Sequence, residues 1–193
     1  MRKRGVSAVL LMALVVPGLV ACSVRVTSRE RFPEADVFLG VVPYEQEPLM
    51  CGPFALAAVL NYLGFKADPL EVAGATYSPG AGGALTMDLY LESRRRGAES
   101  RQVEGKGETL REELEKGFPA IVILRYPGLP RSNGHFVVVN GFSGGLPGFF
   151  LLWGDGKVSW MGEGRFMDFW SAAAFWALYF SGEERSWSVN PGQ

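Results

Sequence analysis

The chain is 193 residues long, with 19 Lys and Arg against 20 Asp and Glu and a formal net charge of −1. That is one domain's worth of chain, and its near-neutral balance offers nothing to attract nucleic acid. A single histidine and two cysteines are too few soft or imidazole ligands for a zinc site. Neither a metal nor an organic cofactor is implied, and no glycine pattern that cradles phosphate leads into a helix.

The opening segment MRKRGVSAVLLMALVVPGLVAC sets Arg2, Lys3 and Arg4 ahead of an apolar run too short for a comfortable membrane span. That is the layout of a secretory signal peptide. The run ends in Leu19-Val20-Ala21-Cys22, which resembles a bacterial lipobox. The reading is a lipoprotein-type signal over 1–21, lipidation of Cys22, and a polar tether to residue 35; an ordinary signal peptide or single anchor is the alternative. Lipid on Cys22 holds the protein to the bacterial cell envelope, facing the periplasm or exterior, and so makes the membrane a partner. Ser23 points to the outer membrane only in a host that follows the enterobacterial sorting rule. Cleavage removes three cations and leaves a mildly acidic mature chain.

The domain proper is expected over 36–182, followed by a tail, 183–193. Asp36–Val42 reads as a short strand. Pro53–Leu63 reads as a helix with proline in its first turn and Gly64 as its stop. Its apolar residues run nearly all round, which predicts central burial. Asp68-Pro69-Leu70-Glu71 is the start of a second, short helix. Tyr77–Gly83 is a glycine-rich loop, Ala84–Arg96 a third helix with Leu85 and Leu89 turned inward, and Thr109–Lys116 a fourth. Arg94-Arg95-Arg96 is the solvated, dipole-favoured end of the third helix rather than a binding patch. Ala120–Leu124, His135–Val139, Phe149–Trp153 and Lys157–Trp160 are strands between Gly, Pro, Asn and Asp turns. A helix near Arg165–Ala173 and a strand near Trp176–Phe180 close an α+β domain, helical first and antiparallel sheet second. Trp153, Trp160, Trp170 and Trp176 interleave with Phe166, Phe169 and Phe175 and read as core.

Thiol hydrolases need a thiolate, an imidazole to share its proton, a group to orient that imidazole, and donors for the developing oxyanion. With Cys22 taken by lipid, Cys51 has no partner for a disulfide, which is unusual in an oxidising envelope. It stands at the mouth of the first helix, where the macrodipole favours the thiolate. The only imidazole is His135, which follows the Asn133-Gly134 turn and opens a hydrophobic strand. A cleft between the helical and sheet halves would bring 51 and 135 together.

Gln46-Glu-Pro-Leu-Met-Cys51-Gly52-Pro53, the AxxAVLNYLG helix and Gly134-His135-Phe-Val-Val-Val resemble the bacteriocin-processing (double-glycine leader) peptidases. The resemblance spans Val41 to about Phe180. It implies a papain-like fold whose cysteine-bearing central helix packs on a C-terminal antiparallel sheet. It also implies a cysteine peptidase acting on a peptide or protein substrate. The family's oxyanion glutamine falls on Gln46. Its third catalytic member, an aspartate after the next strand, falls on Asp155, with Gly156 where a proline is usual. Asn140 and Asp168 are the other candidates for that orienting role.

Two further readings remain open. One is a non-catalytic lipoprotein that keeps the cleft to bind peptide or a partner. The other is a thiol amidohydrolase of cell-wall peptide. NlpC-like endopeptidases carry Asp-Cys-Ser-Gly where this chain has Met50-Cys51-Gly52-Pro53, which argues against membership there. The glycine-rich segments Ser78–Gly83 and Gly141–Gly148 are candidates to flank the cleft.

Overall fold

The computed structural model describes residues 32–128 and 134–182. The signal segment, Cys22 and the tail 183–193 lie outside the described residues. In chain order the elements are β1 (Val37–Phe38), α1 (Cys51–Tyr62), α2 (Pro69–Thr76), β2 (Tyr77–Ser78), β3 (Gly83–Ala84), α3 (Thr86–Arg95), β4 (Glu99–Glu104), α4 (Gly107–Glu115), β5 (Ala120–Leu124), β6 (His135–Ser143), β7 (Gly148–Leu152), β8 (Val158–Gly162), α5 (Glu163–Ser171) and β9 (Trp176–Ser181).

Helix α1 begins at Cys51 and tolerates Pro53, whose missing N–H falls among the donors that no helix satisfies in its first turn. Leu56, Ala57, Val59 and Leu60 are fully buried although they point in different directions. A helix apolar on all sides must be enclosed, and α1 packs against α2, α3 and β6. Gly52 is required where three elements converge, because a Cβ there would lie 3.0 Å from Ala84 Cβ, 3.1 Å from Phe136 Cδ2 and 3.2 Å from Leu89 Cδ1. Helix α2 is capped by Asp68, whose Oδ1 accepts from the N–H groups of Leu70 and Glu71 at 2.9 and 3.0 Å.

Seven of the nine described strands form one antiparallel sheet in the order β4-β9-β5-β6-β7-β8, with β1 also paired to β6. Every residue of β5 and β7 is buried, so both faces of the sheet must be covered. Phe136, Val138 and Leu152 gather beside Cys51 on the α1 side. On the opposite parity Phe149 packs on Phe166 of α5 with ring centroids 4.5 Å apart. The helix is thus clamped to the middle of the sheet, and its N-terminus meets the start of β6. The fold class read from the sequence is the one observed.

Several boundaries and orientations differ from expectation. Strand β1 covers only two residues, and the polar run Glu99–Glu104 forms an edge strand that alternation of apolar residues could not signal. The glycine-rich loop contains a small hairpin of β2 and β3. Leu85 is the N-cap of α3 and is 49% exposed, not inward, because the helix starts at Thr86 rather than at Ala84. The basic run is a helix end as read: Arg95 and Arg96 both pair with the buried Glu92 at 2.6 Å.

Candidate active site

Three backbone segments converge to build the site. The loop before α1 turns sharply, with Met50 N–H donating to Glu47 O at 3.1 Å and Leu49 in the left-handed region at φ 67°. A leucine there is strained by about 1–2 kcal/mol relative to an ordinary conformation, and strain of this kind concentrates at functional sites. The same loop is tied to the segment after β7: Gln46 N–H donates to Gly154 O at 2.9 Å, and Glu45 bridges to Asp155. The third segment is the first residue of β6, His135, held in register opposite Leu124.

Cys51 carries a free, partly buried thiol at the N-terminus of α1. Burial alone pushes this thiol up and is the largest single influence. The hydrogen bond from His135, the Phe136 N–H, the imidazolium charge and the Gly52 N–H together outweigh it, and the thiol titrates below its ordinary range. For His135, burial pushes the imidazole down; the hydrogen bond to Cys51, the Trp153 carbonyl and the thiolate charge more than offset it, and the ring titrates above its ordinary range. Both shifts favour the thiolate–imidazolium form. The Cys51 N–H, first in its helix, has no intrahelical acceptor by position and is a ready anion donor.

His135 Nε2 lies 2.8 Å from the carbonyl oxygen of Trp153, and the two rings stack with centroids 5.5 Å apart and planes 14° from parallel. Gln46 donates through Nε2 to that same oxygen at 3.3 Å, and its side chain packs on Gly154. Cys51, His135 and Gln46 are therefore brought together. Asp155 is not joined to them. Its carboxylate is exposed and accepts the Lys157 N–H at 3.1 Å, the work of an Asp-Gly turn rather than of an imidazole partner. Nor are Asn140 and Asp168: Asn140 is buried in β6 with Oδ1 accepting from Val41 N–H at 2.9 Å, and Asp168 is exposed on α5. Trp153 is the site residue that sequence reasoning assigned to the core. A backbone acceptor leaves no mark in side-chain identity, and only its place next to Gly154 could have drawn attention to it.

A cavity of about 600 Å³ opens over the thiol, lined by Gln46, Leu49, Gly82, Gly83, Arg125 and His135 among others. The wall made by Gly82 and Gly83 carries no side chain, which leaves room for a peptide backbone to approach. The other glycine-rich segment, Gly141–Gly148, does not border it: a Cβ on Gly148 would strike Met161 and Trp160 of β8, so that glycine serves sheet packing. Among the described residues no group of three or more His, Cys, Asp or Glu is placed to hold a metal ion. Nor is any described helix long and apolar enough to cross a membrane.

A thiol and an imidazole in contact at the N-terminus of a central helix, set against an antiparallel sheet, define a papain-like cysteine peptidase. The Peptidase_C39 like family matches residues 38–150, and the chain belongs to that family. Among solved structures it is similar to a protein from Bacillus anthracis assigned to the C39-like peptidases (TM-score 0.64, 16% identity, 79% of this chain and 100% of that one). It is also similar to the peptidase domain of Streptococcus ComA, a bifunctional ABC transporter of a quorum-sensing pathway (TM-score 0.59, 20% identity, 74% and 99%). A third is a double-glycine-motif protease from an AMS/PCAT transporter, solved with its leader peptide (TM-score 0.57, 22% identity, 73% and 91%). No curated protein matches the chain.

Proposed function

We propose that this cysteine peptidase hydrolyses a peptide bond through an acyl-enzyme on Cys51. The Cys51 thiolate attacks the scissile carbonyl, and the tetrahedral oxyanion is stabilised by the Cys51 N–H and the Gln46 carboxamide. The imidazolium of His135, holding the thiol's proton, gives it to the leaving amine. Water, deprotonated by the neutral imidazole, then releases the acyl group and restores the thiol. The observation that carries this reading is geometric: Cys51, at the N-terminus of α1, and His135, at the start of β6, line one cavity together with Gln46, and the contact between thiol and imidazole lowers the one and raises the other. An inert core thiol would be pushed up by burial alone.

The substrate is a peptide lying extended in the cavity over Gly82 and Gly83. A lipid on Cys22 would tether the domain to the cell envelope and bring it to substrates there. The orienting role expected of Asp155 is not supported by its carboxylate's contact with Lys157 N–H. Incubation with a pooled peptide library, read by mass spectrometry, tests the proposal. The wild-type chain should cleave members of the pool and show an acyl adduct on the peptide bearing Cys51, and Cys51→Ala should do neither. Equal processing by Cys51→Ala would refute it.

A further inference from the structure

The oxygen of Trp153 accepts two hydrogen bonds, from His135 Nε2 at 2.8 Å and from Gln46 Nε2 at 3.3 Å. We propose that this backbone carbonyl, rather than a carboxylate, is the third member of the site, and that it orients the imidazole and the oxyanion donor together. The inference rests on the peptidase reading above. Trp153 is a positioning residue in it, acting through His135 and Gln46 and not on the substrate.

A carbonyl only accepts, so the imidazole nitrogen facing it must carry a hydrogen. With Nε2 protonated, the lone pair of the neutral ring sits on Nδ1, where it takes the Cys51 proton; the Trp153 oxygen keeps the Nε2 hydrogen throughout. Its second lone pair holds one N–H of the Gln46 carboxamide, which keeps its other N–H for the oxyanion. The oxygen is fixed from three directions. The Trp153 ring lies parallel to the imidazole, Gln46 N–H bonds to Gly154 O at 2.9 Å, and Gly154 adopts φ 86°, which turns the chain immediately after the carbonyl. The neighbouring carboxylate, Asp155, is spent on Lys157 N–H. One neutral atom thus sets the geometry of both the base and the oxyanion donor, which makes their alignment interdependent.

The test uses the full chain carrying Cys22→Ser, so that only Cys51 alkylates, and labels its single histidine with ¹⁵N. In the wild-type background the neutral imidazole should show Nε2 protonated and Nδ1 bare. Asp155→Asn should leave the histidine resonances, the pH midpoint of iodoacetamide alkylation and peptide hydrolysis unchanged. Replacing Gly154 by glycolic acid turns the Trp153 carbonyl from amide to ester and weakens it as an acceptor. That change should raise the alkylation midpoint, lower the histidine pKa and slow hydrolysis about tenfold, the worth of one hydrogen bond. A change confined to stability would leave these titrations in place. The inference is overturned if the neutral ring is protonated on Nδ1, if the ester is silent, or if Asp155→Asn slows hydrolysis by the about 10⁴-fold typical of a lost orienting carboxylate. A wild-type Cys51 that does not alkylate until unfolded would instead sink the peptidase reading itself.

Discussion

Gly154→Ala is expected to separate binding geometry from nucleophilicity. A Cβ at residue 154 would sit 2.5 Å from Gln46 Nε2 and closer still to Cδ and Oε1, so the carboxamide must leave its place. The backbone is at φ 86°, where an L side chain costs about 1–2 kcal/mol. The displaced Gln46 also forfeits its hydrogen bond to Trp153, about 1 kcal/mol. Together these predict a loss of about 2–3 kcal/mol in urea unfolding, with the slope against urea unchanged. Hydrolysis of a cleaved library peptide should fall about 10²–10³-fold, the usual consequence of removing one oxyanion donor. Alkylation by iodoacetamide forms no oxyanion, so it should fall far less than hydrolysis. Wild-type hydrolysis in Gly154→Ala would refute the assignment of Gln46.

Gln46→Ala should reproduce the hydrolytic loss of about 10²–10³-fold without the backbone strain, measured on the same peptide. Cys51→Ala should lower the pKa of His135, followed by NMR of the sole imidazole, because burial then acts against fewer charge-stabilising contacts. Asn140→Ala should cost about 1–3 kcal/mol in urea unfolding, since it leaves the buried Val41 N–H without its acceptor, while the alkylation midpoint stays where it is. The pH profile of kcat/KM should be a bell. Its acid limb, where Cys51 loses its proton, lies below the ordinary thiol range. Its alkaline limb, where His135 loses its own, lies above the ordinary imidazole range.

Much of this molecule was legible because its strongest signals are local. The all-round apolar helix, the capped turn at Asp68 and the β-branched runs 120–124 and 135–139 each report a periodicity or a cap that survives folding. The thiol, the imidazole and the glutamine of the proposed site were readable because each is a side chain, and side chains are what a sequence spells out. Other features were hidden for physical reasons. Strand β4 is a polar edge whose pairing with β9 gives it its conformation, not its own composition. Leu85 followed the helical period on paper, but it is the cap residue and faces out. For the group that orients the imidazole, the sequence offers only side chains, Asp155 with Asn140 and Asp168 as the other candidates. The acceptor facing the ring is a peptide oxygen beside a left-handed glycine, while the nearby Asp155 closes a turn.

The central claim is that Cys51 and His135 share a proton and so hold a thiolate at neutral pH. Its most direct test is the rate of iodoacetamide alkylation of Cys51 as a function of pH, in the folded full chain carrying Cys22→Ser. Alkylation should reach half its maximum well below the free-thiol value of about 8.5, and His135→Ala should move that midpoint upward and slow the reaction at neutral pH. A midpoint at or above the free-thiol value, unaffected by His135→Ala, would contradict the account.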